Sequence, residues 1–393
     1  MSKYYRTIVL LVLVALVAAC GGMPGVKIAR HPAPDNYSAL NVYTELPVYD
    51  PNSTDLWQVD LRSSDLTKLD LSKSKEDLLY ADFDSKTQWP TADKMPADFD
   101  WQKIMEINKD PGLNIRKLHE QGINGKGVSI AIIDQTLLTD HVEFKDQLRL
   151  YEEAEDIVGG SSSMHGPAVA SIAVGKTVGV APKANLYYIA TSEWGNFSYT
   201  ANIIRKVVEI NKTLPVDRKI RALSISRGWM PDENGYDEII AAINEAKADG
   251  IFVISVSLEQ TYGWNFIGLG RNSIADPNNF QSYEPGLPWQ ERFYQNNFPA
   301  TMLWVPMDSR TTASPTGTED YVFYREGGMS WTVPYLAGMY ALAAQVKPDI
   351  TPDEFWDVAL KTGRTIQLQH DGKEYEFGVI LDPQALIAAI KDK

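Results

Sequence analysis

Cysteine is almost absent from this chain: among 393 residues there is one, Cys20. No internal disulfide can form, so stability has to come from the packed core alone. Basic residues are in deficit, 37 Lys and Arg against 51 Asp and Glu, for a formal net charge of −14. Binding phosphates needs a basic surface, so the composition argues against a nucleic-acid partner. Histidine is scarce, with five in the chain. A long hydrophobic run is missing near the start, where the apolar stretch Ile8 to Ala19 has only 12 residues. A membrane-spanning helix needs about 20. Otherwise the composition, 44% hydrophobic and 22% charged, is that of a globular protein long enough for one large domain or two.

What the N-terminus does have is order. Lys3 and Arg6 precede the short apolar run, which closes on small residues in "LVAAC". A basic start, a short apolar core and small residues before a break mark an export signal. The ending resembles the lipobox of bacterial lipoproteins. That resemblance implies that Cys20 is lipidated, becomes the new N-terminus and anchors the chain to the extracytoplasmic face of a bacterial cell membrane. The following "GGMPGVKIARHPAPD" is Gly/Pro-rich and reads as a tether. The expected organisation is a signal peptide at 1–19, a tether at 20–50 and an N-terminal extension at 51–110 that stays attached. The main domain follows at 111–393.

From about Gly112 onward, apolar runs of strand length alternate with segments of helical period. Val128 to Ile133, Leu186 to Ala190, Ile220 to Ser226, Ile251 to Ser257 and Thr301 to Val305 read as buried strands. Thr200 to Lys212, Gly235 to Asp249 and Val333 to Val346 read as helices. This alternation predicts an α/β fold of three layers, a mostly parallel sheet with helices on both faces. In such folds functional residues gather at the carboxyl ends of the strands.

Three residues fit that place. Asp134 closes the first apolar strand. His165 opens a small-residue helix in "SSSMHGPAVASIAVG", where the helix dipole is expected to keep it neutral. Ser330 follows "EGGM" at the mouth of a hydrophobic helix. Each alone has a structural reading: Asp134 can cap a turn, and Ser330 can cap its helix. Together they supply the nucleophile, base and orienting acid that activate a hydroxyl.

The order Asp, His, Ser resembles the subtilisin-like serine proteases, the subtilases of peptidase family S8. "AIIDQTLLTDHVEF" is similar to the family's Asp segment, including a second histidine, His141. "HGPAVASIAVG" with "VGVAP" is similar to its His segment. "ALSISRGW", with Ser226 and Gly228, is similar to its substrate-binding strand, and "GGMSWTVPYLAG" to its nucleophile segment. The resemblance implies a subtilisin-like fold, endopeptidase activity on peptide or protein substrates through an acyl-enzyme, and no cofactor. It implies Ser330 as nucleophile, His165 as base and Asp134 as the acid that orients it. His141 reads as structural. Gly328 is expected to allow close backbone approach, and Pro334 to sit in the first helical turn.

The sequence departs from the family most at the oxyanion hole. Glu259 falls where the family has a donor asparagine, with Gln260 beside it. A deprotonated glutamate cannot donate a hydrogen bond. The candidates to replace the donor are Gln260 and a Glu259 kept protonated by burial. Leu258 stands at a glycine position and is expected to narrow the primary specificity pocket. These departures leave a second reading open, a subtilase-fold lipoprotein that binds peptides or a partner without efficient cleavage. Many subtilases hold calcium between the His helix and the Gly-Val-Ala-Pro turn. Here that connection is only Gly175 to Thr177, too few oxygens for an ion that wants about 6–8, so no metal is expected there. The aromatics Trp264, Phe266, Phe280, Tyr283, Trp289, Phe293 and Tyr294 fit either a binding cleft or a core beneath long loops.

Overall fold

The computed structural model describes residues 26–35, 41–53, 55–157, 159–193, 195–295 and 298–391. Cys20 and the expected signal peptide lie outside the described residues, and no described helix is long and apolar enough to cross a membrane.

The centre is a six-stranded sheet. Its order is Lys27–Ile28, Leu148–Glu153, Asn185–Ala190, Ser129–Asp134, Ile220–Ile225 and Phe252–Ser255, and every neighbouring pair is parallel. All six residues of Ser129–Asp134 are buried, as a strand covered on both faces must be. Successive side chains feed opposite cores. Ile130 and Ile132 join the cluster under the helices His165–Val174 and Met329–Val346. Ala131 and Ile133 join the cluster under Phe197–Thr213 and Tyr236–Ala248. The two pairs of helices differ in sequence for a physical reason. Phe197–Thr213 buries one stripe, with Ala201, Ile204 and Val208 at helical spacing. His165–Val174 is buried on every side after its first residue, so small residues line it all round.

The strand expected at Thr301 to Val305 forms at Leu303–Pro306. It belongs to a second, five-stranded mixed sheet rather than to the central one. The strand expected at Ile251 to Ser257 stops at Ser255, because Leu258–Tyr262 turns into a short helix. The stretch expected as a free tether is partly bound. Lys27–Ile28 adds to the sheet edge, Ala29 N–H donates to the Tyr151 carbonyl at 2.9 Å, and Arg30 pairs with Glu153 at 2.9 Å. Unpaired backbone at a sheet edge is satisfied this way.

Residues 57–105 build a third core of their own, from Val59, Leu61, Leu66, Phe83, Phe99 and Ile104 among others. It is closed by Phe323 of the main domain. The strand Phe83–Asp84 pairs antiparallel with Tyr321–Tyr324, which pairs in turn with Arg310–Ala313. The extension is thus packed on the domain.

Most of the aromatics between Tyr262 and Arg325 are core. Trp264 stacks on Trp356 at 4.9 Å, and Phe293 meets the edge of Trp304 at 5.8 Å and Phe377 at 5.1 Å. Phe280 and Tyr283 are buried.

Candidate active site

Asp134 ends its strand at the carboxyl edge of the central sheet and is 1% exposed. The Gln135 N–H donates to its Oδ1 at 2.8 Å. His165 starts the next helix along that edge, and its Nδ1 lies 2.6 Å from Asp134 Oδ1. This bond fixes the tautomer: Nδ1–H donates to the carboxylate, which leaves Nε2 unprotonated and facing away from it in the neutral ring. Burial opposes a charge on the ring, but the neighbouring Asp134 carboxylate and the hydrogen bond to it outweigh burial and raise the His165 pKa above its ordinary value. The carboxylate therefore works against the helix terminus, which is expected to disfavour the charged ring.

Ser330 is the second residue of the long buried helix Met329–Val346. Pro334 is the sixth residue of that helix, past the first turn in which it is expected. It stands four residues after Ser330, where an N–H would normally bond the Ser330 carbonyl, and proline has none. The freed carbonyl accepts from Ser226 Oγ at 2.9 Å. Ser330 Oγ in turn donates to the Ser226 carbonyl at 3.5 Å. The nucleophile candidate is thereby tied to the end of the neighbouring strand Ile220–Ile225. No hydrogen bond joins Ser330 Oγ to His165 Nε2 among the described residues. The ring of Trp331, the residue after Ser330, lies against the imidazole with centroids 5.2 Å apart.

Two glycines make these approaches possible. A Cβ on Gly166 would meet the Gln135 and Thr136 carbonyls at 2.6 and 2.7 Å. A Cβ on Gly327 would meet the Met307 carbonyl at 2.5 Å and Trp331 Cδ1 at 2.8 Å. Gly328, expected to serve this purpose, has nothing nearer than 3.9 Å. The close approach falls one residue earlier because the turn folds back on Met307.

Just past Ser226, which bonds Ser330, the residues Gly228, Trp229, Val256, Ser257 and Phe266 line a cavity of about 420 Å³. Arg227, Glu233, Glu259 and Gln260 ring it with charge and amide groups. Leu258 does not narrow it. Its side chain is fully buried in the main core, because the chain has already turned into a helix there. Glu259 and Gln260 are exposed on that helix. The burial that a protonated Glu259 would need is missing.

His141 is fully buried. Its Nε2 donates to the Asp320 carbonyl at 2.9 Å and its Nδ1 accepts from the Glu143 N–H at 3.2 Å. Burial first of all lowers its pKa, so it is a neutral structural group on the far side of the Asp loop. Glu143 is equally engaged. It accepts from Thr177 N–H at 2.8 Å, Thr177 Oγ1 at 2.5 Å and the Tyr321 hydroxyl at 2.6 Å. Protein donors thus fill the carboxylate nearest the short Gly175 to Thr177 connection.

Sequence reasoning missed Trp331 as a neighbour of His165 and the role of Pro334. The second was findable: a proline four residues after a serine in a helix frees that serine's carbonyl by geometry alone.

A family model described as the subtilase family matches residues 125–282. Over that span the chain is similar to the subtilases. The subtilase-matched span holds Asp134, His165, Ser226 and Gly228, and Ser330 lies beyond it. The chain is 26% identical over 298 residues to the Serine protease AprX of Bacillus subtilis (strain 168), with 66% of each chain covered. It is 27% identical over 172 residues to the Major intracellular serine protease of the same strain, covering 39% of this chain and 50% of that one. The chain thus spans about two thirds and one half of the lengths of these curated relatives. Among solved structures, a protease from Pseudoalteromonas arctica PAMC 21717 superposes with a TM-score of 0.51 at 19% identity, covering 74% of this chain and 98% of that one. At that identity the likeness speaks for the subtilisin-like fold alone.

Proposed function

We propose that this chain is a serine endopeptidase that cleaves peptide bonds through an acyl-enzyme on Ser330. The observation that carries the reading is the 2.6 Å bond from His165 Nδ1 to the buried Asp134, set at the carboxyl edge of the sheet where Ser330 opens its helix. His165 Nε2 takes the Ser330 proton as the hydroxyl attacks the scissile carbonyl, and returns it to the leaving amine. Asp134 holds the tautomer and stabilises the imidazolium. The backbone N–H of Ser330 stands at the N-terminus of its helix and donates to a developing oxyanion that the helix dipole favours, while the next N–H, of Trp331, is taken by the Gly328 carbonyl at 2.9 Å. A substrate side chain enters the cavity beside Gly228. Bonds of this kind are often long in an unliganded site and tighten in the substrate complex, which accords with the open Ser330–His165 pair.

The test is labelling with a fluorophosphonate probe, which needs an activated serine and little pocket fit. Wild type should label and Ser330→Ala should not. Labelling that persists in Ser330→Ala would refute the assignment. A second reading, a peptide-binding protein of subtilase fold without efficient cleavage, is favoured by one feature: a short helix with an exposed Glu259 stands where a donor turn is expected. Absence of labelling together with peptide binding would establish it.

The reading includes lipid anchoring at Cys20, with the domain on the extracytoplasmic face of a bacterial membrane, on the strength of the sequence "LVAAC". A palmitate analogue should label the full chain in cells, and Cys20→Ser should abolish the label and release the protein. Equal labelling of both would exclude the anchor.

A further inference from the structure

The turn that delivers Ser330 is held from outside the main domain. Its strand, Tyr321–Tyr324, pairs with Phe83–Asp84 of the N-terminal extension, and Phe323 is buried in the extension's own core. Ser85 closes the strand's start, donating its N–H to the Tyr321 carbonyl at 2.9 Å and accepting the Tyr321 N–H on Oγ at 2.8 Å. Then come three consecutive backbone donors. Asp82 Oδ1 accepts from Arg325 N–H at 2.6 Å and from Glu326 N–H at 3.4 Å. Asp308 Oδ1 accepts from Gly327 N–H at 2.8 Å. Trp57 grips the same turn twice: its N–H donates to Glu326 Oε2 at 2.9 Å and its Nε1–H to the Glu326 carbonyl at 3.2 Å. The Arg325 guanidinium sits over the Tyr80 ring, 5.0 Å from its centroid.

Buried N–H groups need acceptors, and one left without its acceptor is destabilising. Removing the extension would leave Arg325 and Glu326 N–H without theirs and expose Phe323. The carboxylate doing this work is itself expensive to bury. Asp82 is 1% exposed, its Oδ2 has no partner, and burial pushes its pKa well up. A buried carboxyl with a single engaged oxygen makes sense where that oxygen must sit in one place.

We infer that the extension is a permanent part of the candidate active site, in which Asp82 and Trp57 act as positioning residues for the turn Arg325–Gly327 and through it for Ser330. The inference rests on the proposed serine-peptidase reading for its catalytic consequence, though not for the clamp itself. It implies that protein labelled at Ser330 retains residues 57–87, and that the clamp acts on the rate rather than only on folding.

The experiment uses the full chain and two readouts. The first is the rate of fluorophosphonate labelling, measured well below the melting temperature of each variant. The second is hydrogen exchange of the amides of residues 325–330. Asp82→Asn keeps an oxygen acceptor and should label within about twofold of wild type. Asp82→Ala should label at least about 10-fold more slowly, the scale of a small misplacement at a reacting centre, with faster exchange at 325–330. If Asp82→Ala does not fold, Trp57→Phe serves in its place. It removes only the indole donor at a half-exposed position, and should show the same two changes to a smaller degree. Intact mass of the labelled protein should include the extension. Unchanged labelling and exchange in a folded Asp82→Ala or Trp57→Phe, or a labelled species that has lost residues 57–87, would overturn the inference. A wild type that never labels but whose 325–330 amides lose protection in these variants would sink the peptidase reading and leave the clamp standing.

Discussion

Asp134→Asn is expected to lower kcat for peptide hydrolysis by about 10⁴-fold, the cost of presenting the base in the wrong tautomer. In the wild type the carboxylate accepts Nδ1–H of His165 at 2.6 Å, and an asparagine can offer its amide N–H instead, which turns the proton to Nε2. The same substitution changes the pH profile. The base must be neutral to accept a proton, so wild-type activity should rise with pH through a His165 pKa that lies above the ordinary value. Burial works against that rise in pKa, and the charge and hydrogen bond of Asp134 produce it. Without the carboxylate only burial remains, and the midpoint of the residual activity should move to lower pH. The stability consequence has a definite sign. A histidine whose folded pKa is raised contributes stability that is fully present below its unfolded pKa, about 6.5. That contribution is lost as pH rises through the folded pKa. Asp134→Asn should therefore destabilise the protein more in acid than in alkali, as denaturant titrations at two pH values would show. Activity within tenfold of wild type, or an unmoved midpoint, would remove Asp134 from the role.

The sheet was readable because burial on both faces writes itself as continuous apolar runs. "SIAIID" has no polar residue between Ser129 and Asp134, and its short length and β-branched residues favour a strand over a buried helix. The paired candidates Asp134 and His165 were readable for a related reason: each stands at the boundary where a run ends or a helix begins. Pairing across the fold was less legible. Leu303–Pro306 has the composition of a central strand, and only tertiary contacts assign it to the second sheet. Leu258 and Glu259 were misplaced because register counted along an extended strand fails once the chain turns into a helix at Ser257. Which direction Leu258 points follows from that turn, not from its identity. The grip of Asp82 and Trp57 on Glu326 joins residues more than 240 positions apart, and no local pattern announces it.

Gly166→Ala is the second large effect, and it isolates geometry from chemistry because it removes no functional group. The added methyl would lie 2.6 Å from the Gln135 carbonyl oxygen, 2.7 Å from that of Thr136 and 2.8 Å from the Tyr188 hydroxyl. None of these can easily retreat. The Tyr188 hydroxyl donates to the Gln135 carbonyl at 2.5 Å, and the Thr136 carbonyl accepts from Ser163 N–H at 2.9 Å. The helix start must move instead, and His165 is its first residue. Overpacking of this kind costs about 1–3 kcal/mol of stability, and a displacement near 1 Å at the base costs about 10² in rate. Gly328→Ala is the matched control. Its methyl finds nothing within reach but Ser330 N at 3.9 Å, and its backbone, φ −126 and ψ 167, suits any residue. Labelling rate and melting temperature should therefore separate the two variants, with Gly166→Ala slow and less stable and Gly328→Ala close to wild type. Equal behaviour of the two would mean that the contact between the His helix and the Asp loop does not set the position of the base.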